Sequence, residues 1–188
     1  DPGNFALLIR NVAELPSPRG EIINVPHALW SKPAALTLAS IDELAGCCFI
    51  SATDDPASNE RLIREVVSAT AIRGLDLHLH STAVRAIPLD DWVDLHGLEH
   101  IDLVKMDVEG AELQALRGAG RTLARDRPLI LLETHVFAWE SFGYRREDLE
   151  QVIAGAGYQV CDEHGKPYAG ALGSGPEQDN NHFILRPT

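Results

Sequence analysis

The second half of the chain alternates short apolar segments with a segment whose apolar residues recur at helical spacing. Apolar runs at residues 101–106, 129–132, 158–161 and 182–185 predict strands, and residues 145–156 predict an amphipathic helix. Strands that alternate with helices form α/β sheets in which most neighbours are parallel. We therefore expect a mostly parallel α/β sheet, with an antiparallel C-terminal edge because no helix separates the last two strands.

The first half of the chain gives weaker indications. A helix is predicted to begin at Pro2, with Asp1 as its N-cap, because proline is favoured at the first helical position. The other elements predicted in this half are strands at 21–27, 35–39 and 75–80 and a helix at 59–70. The pattern is least regular from residue 40 to residue 80, where loops that select a substrate are expected.

Length and charge restrict the partners of this chain. Its 188 residues fit one domain, residues 1–188. A net charge of −12 without a cluster of Lys and Arg argues against nucleic acid as the main partner, since binding phosphates requires a basic patch. No apolar stretch approaches the length of a membrane span, and no signal sequence opens the chain. We expect a cytoplasmic protein without a membrane partner.

Four polar side chains follow two neighbouring strands at the points where the strands end. Asp107 and Glu109 come directly after the first strand, and Glu133 and His135 follow the apolar residues of the second. Ligands of open α/β sheets bind at the carboxyl ends of the strands. Acidic residues also cap a following helix, so capping alone is an alternative for Asp107 and Glu109, and Glu112 is expected to be solvated or capping.

The segment DLVKMDVEGAELQALRGA, residues 102–119, resembles the signature of FkbM-type methyltransferases, which use S-adenosylmethionine (SAM). The segments DPGNFALLIRNV, INVPHALWSKPAALTL, IPLDDWV and RPLILLETH are also similar to that family. The resemblance implies a Rossmann-like class I methyltransferase sheet. It also implies that a methyl group passes from SAM to a hydroxyl of a small-molecule or sugar acceptor.

One part of the family pattern is not found in these residues. Members of the family open with a strand and a Gly-rich loop for the methionine end of SAM, followed by an acidic residue that binds the ribose. Gly118 and Gly120 follow a predicted helix and do not supply that loop. The resemblance therefore predicts the C-terminal part of a methyltransferase domain, lacking the first strand and its loop.

The resemblance implies roles for the polar side chains at the strand ends. Asp107 is expected to lie beside the methionine moiety of SAM or the acceptor, as a catalytic and cofactor-binding residue. Glu133 and His135 are expected to be catalytic and acceptor-binding residues, with His135 closest to the pKa that a general base needs. Glu109 is expected to bind and orient the acceptor.

Three residues of the first half are expected on the cofactor side. His27 and Ala28 follow the strand predicted at 21–27, near where this fold holds the adenine of SAM, and Asn4 lies near the ribose region. Contacts to adenine are often made by backbone or apolar groups, so no side-chain role is assigned to His27. The oligomeric state and the identity of the acceptor do not follow from the sequence.

Two alternatives remain open at this point. The first is a non-catalytic α/β binding or interaction domain derived from the methyltransferase fold. The second is a metal-dependent hydrolase, which the acidic strand ends and scattered histidines would allow. Asp76, His78 and His80 share one face of a predicted strand and have ligand types suited to a metal, but flat alternation on an exposed strand explains them equally well. We expect no metal site.

Overall fold

The computed structural model describes residues 2–16, 20–41, 48–51, 79–174 and 181–188. The strands of the described residues are β1 Ala28–Leu29, β2 Ala34–Ile41, β3 Cys48–Ser51, β4 Leu79–Ile87, β5 Leu103–Met106, β6 Leu129–Thr134, β7 Tyr158–Cys161 and β8 Asn181–Pro187. The helices are α1 Pro2–Ala13, α2 Leu89–His96, α3 Glu112–Arg117, α4 Gly120–Asp126, α5 Val136–Trp139 and α6 Arg146–Gly155.

Two four-stranded sheets organise these elements. The first sheet has the strand order β1-β4-β2-β3, and the second has the order β5-β6-β8-β7. In the first sheet β1 is parallel to β4, while β2 is antiparallel to both β3 and β4. In the second sheet β5 is parallel to β6, while β8 is antiparallel to both β6 and β7.

The expectation of a mostly parallel sheet is wrong for the described residues, because both sheets are mixed. Among the described strands, only the pairs β1/β4 and β5/β6 are parallel. The sequence pattern does not predict strand direction, because apolar spacing depends on neighbouring residues in the chain. Whether a strand is parallel or antiparallel depends on which distant strand pairs with it. The antiparallel pair expected near the C-terminus is present, with β7 at the sheet edge and β8 beside it.

Several strand and helix bounds also differ from expectation. Residues 21–27 form no strand, and β1 covers only Ala28–Leu29. The amphipathic helix expected at 145–156 is observed as Arg146–Gly155. The predicted helix at 59–70 lies outside the described residues, and only the last two residues of the strand predicted at 75–80 belong to β4.

Helices cover one face of the second sheet. In β6 the side chains of Ile130, Leu132 and Thr134 are buried, whereas Leu129, Leu131 and Glu133 on the other face are only half-buried. The apolar run at 129–132 therefore has one buried and one half-buried face. The core under the helices also contains the following buried residues: Met106, Leu113, Leu116, Leu149, Ile153, Phe183 and Leu185.

Trp30 connects the two sheets. It follows β1, is buried, and packs with Ala86 of β4 and with Ala111 at the start of α3. Its backbone carbonyl oxygen lies so close to Gly118 that a Cβ on Gly118 would overlap it. Gly118 has φ −81°, so this close approach, and not a left-handed C-cap, explains the glycine after α3.

Candidate functional site

The turn between β5 and α3 has an unusual backbone. Glu109 has φ 48° and Gly110 has φ 97°, both in the region that side chains disfavour. A Cβ at Gly110 would overlap the Cβ of Ala138, so only glycine fits there. Strained backbone of this kind persists where the surrounding structure enforces it, often at functional sites. Here it turns the side chains after β5 toward the end of β6.

Lys105 joins the carboxylates at the ends of β5 and β6. Its Nζ donates to Oδ2 of Asp107 at 2.7 Å and to Oε2 of Glu133 at 3.3 Å. Burial lowers the pKa of Lys105, but the hydrogen bonds and charges of the two carboxylates raise it more, so the amine stays protonated. The parallel register of Lys105 and Leu131 in β5 and β6 brings these groups to one end of the sheet.

His135 lies at the centre of this group and is buried. Its Nδ1 is 2.9 Å from Oε1 of Glu112. Its Nε2 faces three further carboxylate oxygens, at 3.4 Å from Glu109, 3.7 Å from Asp107 and 3.8 Å from Glu133. The structure therefore brings together all four residues that the sequence placed at the strand ends.

Glu112 is the residue of this site that the sequence argument misjudged. It is completely buried rather than solvated. Four groups surround its carboxylate, as follows: the Gly110 N–H at 3.1 Å, His135 Nδ1 at 2.9 Å, Trp139 Nε1 at 3.0 Å and the Tyr144 hydroxyl at 2.8 Å. The spacing of Ala115 and Leu116, three and four residues later, placed Glu112 on the apolar face of this helix, but it did not indicate the four partners of its carboxylate.

The environment of Glu112 and His135 shifts both pKa values. Burial raises the pKa of the Glu112 carboxyl, but the hydrogen bonds it accepts from His135 and Tyr144 lower the pKa more, so it lies below its usual value. Burial lowers the pKa of His135, but the hydrogen bond to Glu112 and the charge of Glu109 raise it above its usual value. Both shifts favour a charged Glu112 that fixes the orientation of the imidazole.

The pKa values of two neighbouring groups, Glu109 and Tyr144, are also shifted. Burial, together with the charges of Asp107 and Glu133, raises the pKa of Glu109 against the lowering effect of His135. Burial and the charge of Glu112 raise the pKa of Tyr144 far above its usual value, so its hydroxyl remains a donor. That hydroxyl lies 2.7 Å from the Gly110 carbonyl oxygen as well as 2.8 Å from Glu112.

The residues expected on the cofactor side lie elsewhere in the described structure. His27 and Ala28 line a cavity of about 740 Å³ between α1 and β4, with mostly apolar walls. None of the four strand-end residues is among its described lining residues. Asn4 lies on α1 and is exposed. The structure therefore does not join these three residues to the group around His135.

Ligand atoms for a metal are also close together at this site. Asp107, Glu133 and His135 each offer one ligand atom, and these atoms lie within 4.8 Å of one another. The other candidate set, Asp76, His78 and His80, falls on residues whose side chains lie outside the described part of the chain.

Comparisons with known proteins agree with the motif at this site. Over 39 residues the chain is 51% identical to the 2-O-methyltransferase NoeI of Sinorhizobium fredii (strain NBRC 101917 / NGR234), a stretch covering 21% of this chain and 16% of that protein. No solved structure matches the chain. In the described part of the chain, no helix has the length and apolar character to cross a membrane. Residues 32–160 match the family described as "Methyltransferase FkbM domain", and because this match covers about two thirds of its length, the chain belongs to that family of methyltransferase domains.

Proposed function

We propose that this chain transfers a methyl group from SAM to a hydroxyl of a small-molecule or sugar acceptor. The observation that carries the proposal is the group of carboxylates around a buried, oriented histidine at the ends of two adjacent parallel strands. The family and the name of the related 2-O-methyltransferase support the same reaction class. We further propose one Rossmann-like domain acting in the cytoplasm, without nucleic acid or membrane partners.

The chemistry of the strand ends suits a cationic cofactor. Asp107, Glu109 and Glu133 carry three carboxylates, and Lys105 pairs with two of them. The remaining negative charge would attract the sulfonium and ammonium groups of SAM. The cavity lined by His27 and Ala28 has mostly apolar walls that would suit an adenine, and α1, the helix that carries Asn4, also lines it.

A smaller cavity beside the strand ends is suited to an acceptor. It has a volume of about 220 Å³, and Lys105, Glu133, His182 and Phe183 contribute to its lining. Polar groups at one end and apolar walls at the other are typical of small-molecule sites. Glu133 takes part in both the cavity and the group around His135, so Glu133 is the residue through which an acceptor in this cavity would meet that group.

Bound SAM would supply an already activated methyl group, so the protein mainly has to position the reactants. In the transfer, the bond from sulfur to the methyl carbon breaks and its electron pair stays on sulfur. A bond from the acceptor oxygen to that carbon forms, and the hydroxyl proton leaves. One ligand-type atom of each of Asp107, Glu133 and His135 lies within 4.8 Å of the others, and these groups would promote the loss of that proton.

Transfer of a radioactive methyl group from SAM to a panel of sugars and small alcohols tests this proposal. We expect product from the protein that carries these residues together with the Gly-rich loop of the family, and a loss of at least about 100-fold in D107N, as general acid–base groups contribute about 10²–10⁴-fold. D102N is the matched control. Asp102 is exposed and immediately precedes β5, at the end of the strand opposite to Asp107. SAM binding without transfer to any acceptor would favour the alternative of a non-catalytic binding domain.

A further inference from the structure

The carboxylates of Asp107 and Glu133 each face two different cations or potential cations. Their outer oxygens, Oδ2 of Asp107 and Oε2 of Glu133, contact the Lys105 amine. Their inner oxygens, Oδ1 and Oε1, face Nε2 of His135 at 3.7 and 3.8 Å. Lys105 therefore accounts for only half of the oxygens that these two side chains present.

The distances around Nε2 fit ligands that share an ion better than ligands that bond to one another. Hydrogen bonds between ionised partners are about 2.7–2.9 Å long. Oxygens of Glu109, Asp107 and Glu133 lie 3.4–3.8 Å from Nε2 of His135. Metal–ligand bonds of about 2.0–2.2 Å place neighbouring ligand atoms about 3.0–3.5 Å apart, so a small contraction would close this group around an ion.

The orientation of His135 is a second and independent observation. The ring is 3% exposed, and its Nδ1 is held by Glu112, which is fully buried. In the neutral imidazole, when Nδ1–H donates to Glu112, Nε2 carries a lone pair on the side that faces the carboxylate group. A histidine that binds a metal almost always donates its other ring N–H to a carboxylate or carbonyl in this way.

The net charge of the group is negative and would favour a divalent cation. Asp107, Glu109 and Glu133 bring three negative charges to one point, and Lys105 brings one positive charge. His182 contacts only the outer oxygen Oε2 of Glu133, at 3.4 Å, and is exposed. An ion of charge +2 among the inner oxygens would neutralise the remainder.

We propose that Asp107, Glu133 and His135 bind one divalent cation through Oδ1, Oε1 and Nε2, with Glu109 close enough to be a fourth ligand. Carboxylates with one imidazole suit Mn²⁺, Mg²⁺ or Zn²⁺ rather than a thiolate-seeking ion. The site itself stands on this geometry alone. Its role rests on the proposed function: the ion would bind the acceptor oxygen and make the hydroxyl more acidic, and the proton would leave to water.

Titration of the chain with Mn²⁺ alone, followed by calorimetry and by electron paramagnetic resonance, tests the site without SAM or turnover. We expect one bound ion per chain, and affinity at least about tenfold weaker in D107N and in E133Q. D102N should bind Mn²⁺ as the unmodified chain does. K105M should bind more tightly, because it removes a cation that competes for the same carboxylates. Absence of binding, or equal binding by D107N and D102N, would overturn the proposal.

A variant at Glu112 tests whether the affinity depends on the group that holds His135 Nδ1. E112Q leaves all three ligands in place but alters the acceptor of Nδ1–H, so affinity should fall about 10- to 100-fold. The unfolding midpoint of each variant, measured by circular dichroism, shows whether it is folded at the assay temperature. Mn²⁺ binding without methyl transfer would support the metal site and refute the proposed function. Methyl transfer that chelators do not affect, in a chain that binds no Mn²⁺, would support the proposed function and refute the metal site.

Discussion

The two sheets of this protein differ in what they bury. Around the second sheet, Leu113 and Leu149 are completely buried, and so is the charged side chain of Glu112. Beside the first sheet, α1 has no buried residue, and Leu8 remains 46% exposed. The helix beside the first sheet thus leaves its apolar side chains partly in solvent, whereas a helix beside the second sheet encloses a carboxylate.

This difference explains why the titratable residues around His135 lie beside the second sheet. A buried carboxylate is tolerated only when hydrogen bonds satisfy it, and Glu112 has that support from His135, Trp139 and Tyr144. The tight packing around the second sheet fixes those donors, so a histidine can be oriented there to within a narrow range. The first region offers apolar cavities and little such support, which suits contact with an apolar group more than catalysis.

The largest expected effect comes from truncating a leucine in each region. L113A removes a completely buried side chain from α3, and should lower the free energy of unfolding by about 2–5 kcal/mol through lost burial and a cavity. L8A on α1 is the matched control and should change it by less than about 0.5 kcal/mol, because Leu8 is half exposed. Urea denaturation measures both. Equal losses in the two variants would show that the regions are packed alike.

The next effect concerns the buried charge. E112Q keeps the size of the side chain but places an amide among groups that all donate, so one donor loses its acceptor. We expect a loss of about 1–3 kcal/mol in urea denaturation. E147Q, at an exposed position of α6, is the matched control and should be neutral. A neutral E112Q would mean that the charge of Glu112 contributes nothing to the stability of the second sheet.

The contact between the two regions can be tested at Gly118. G118A would place a Cβ against the Trp30 carbonyl, and forcing them apart should cost about 1–3 kcal/mol in thermal unfolding. Gly120 begins α4 and has nothing within 4 Å of where its Cβ would be, so G120A should be neutral or slightly stabilising. If G118A and G120A changed the melting temperature by the same amount, the close approach of Trp30 would not constrain the packing.

The smallest expected effect is a pH dependence of stability that comes from Asp126, which lies beside the second sheet. Asp126 accepts hydrogen bonds from Arg125 and from the Ile101 N–H before β5, and the Arg125 bond is the main cause that lowers its pKa to about 2. A carboxyl whose pKa is depressed on folding stabilises the fold above its unfolded pKa and loses that contribution as pH falls toward 2. Melting temperatures of the unmodified chain and D126N should therefore differ at pH 6 and converge near pH 2. A constant difference would contradict this.

Local pattern was sufficient to predict several elements in the second half of the chain. Helical spacing predicted α6, and the apolar run before Asp107 predicted β5. The same pattern placed Asp107 and Glu133 at strand ends, and the structure brings both to His135. These features are predictable because they depend on residues close together in the chain.

The amino-acid sequence by itself determined several of the α/β elements, the family signature and the strand-end carboxylates. Tertiary structure alone decided that both sheets are mixed, that Glu112 is enclosed by His135, Trp139 and Tyr144, and that His27 lies in a separate cavity. The physical reason is distance along the chain. Strand direction and the burial of a charge depend on donors and neighbours tens of residues away, which periodicity does not record.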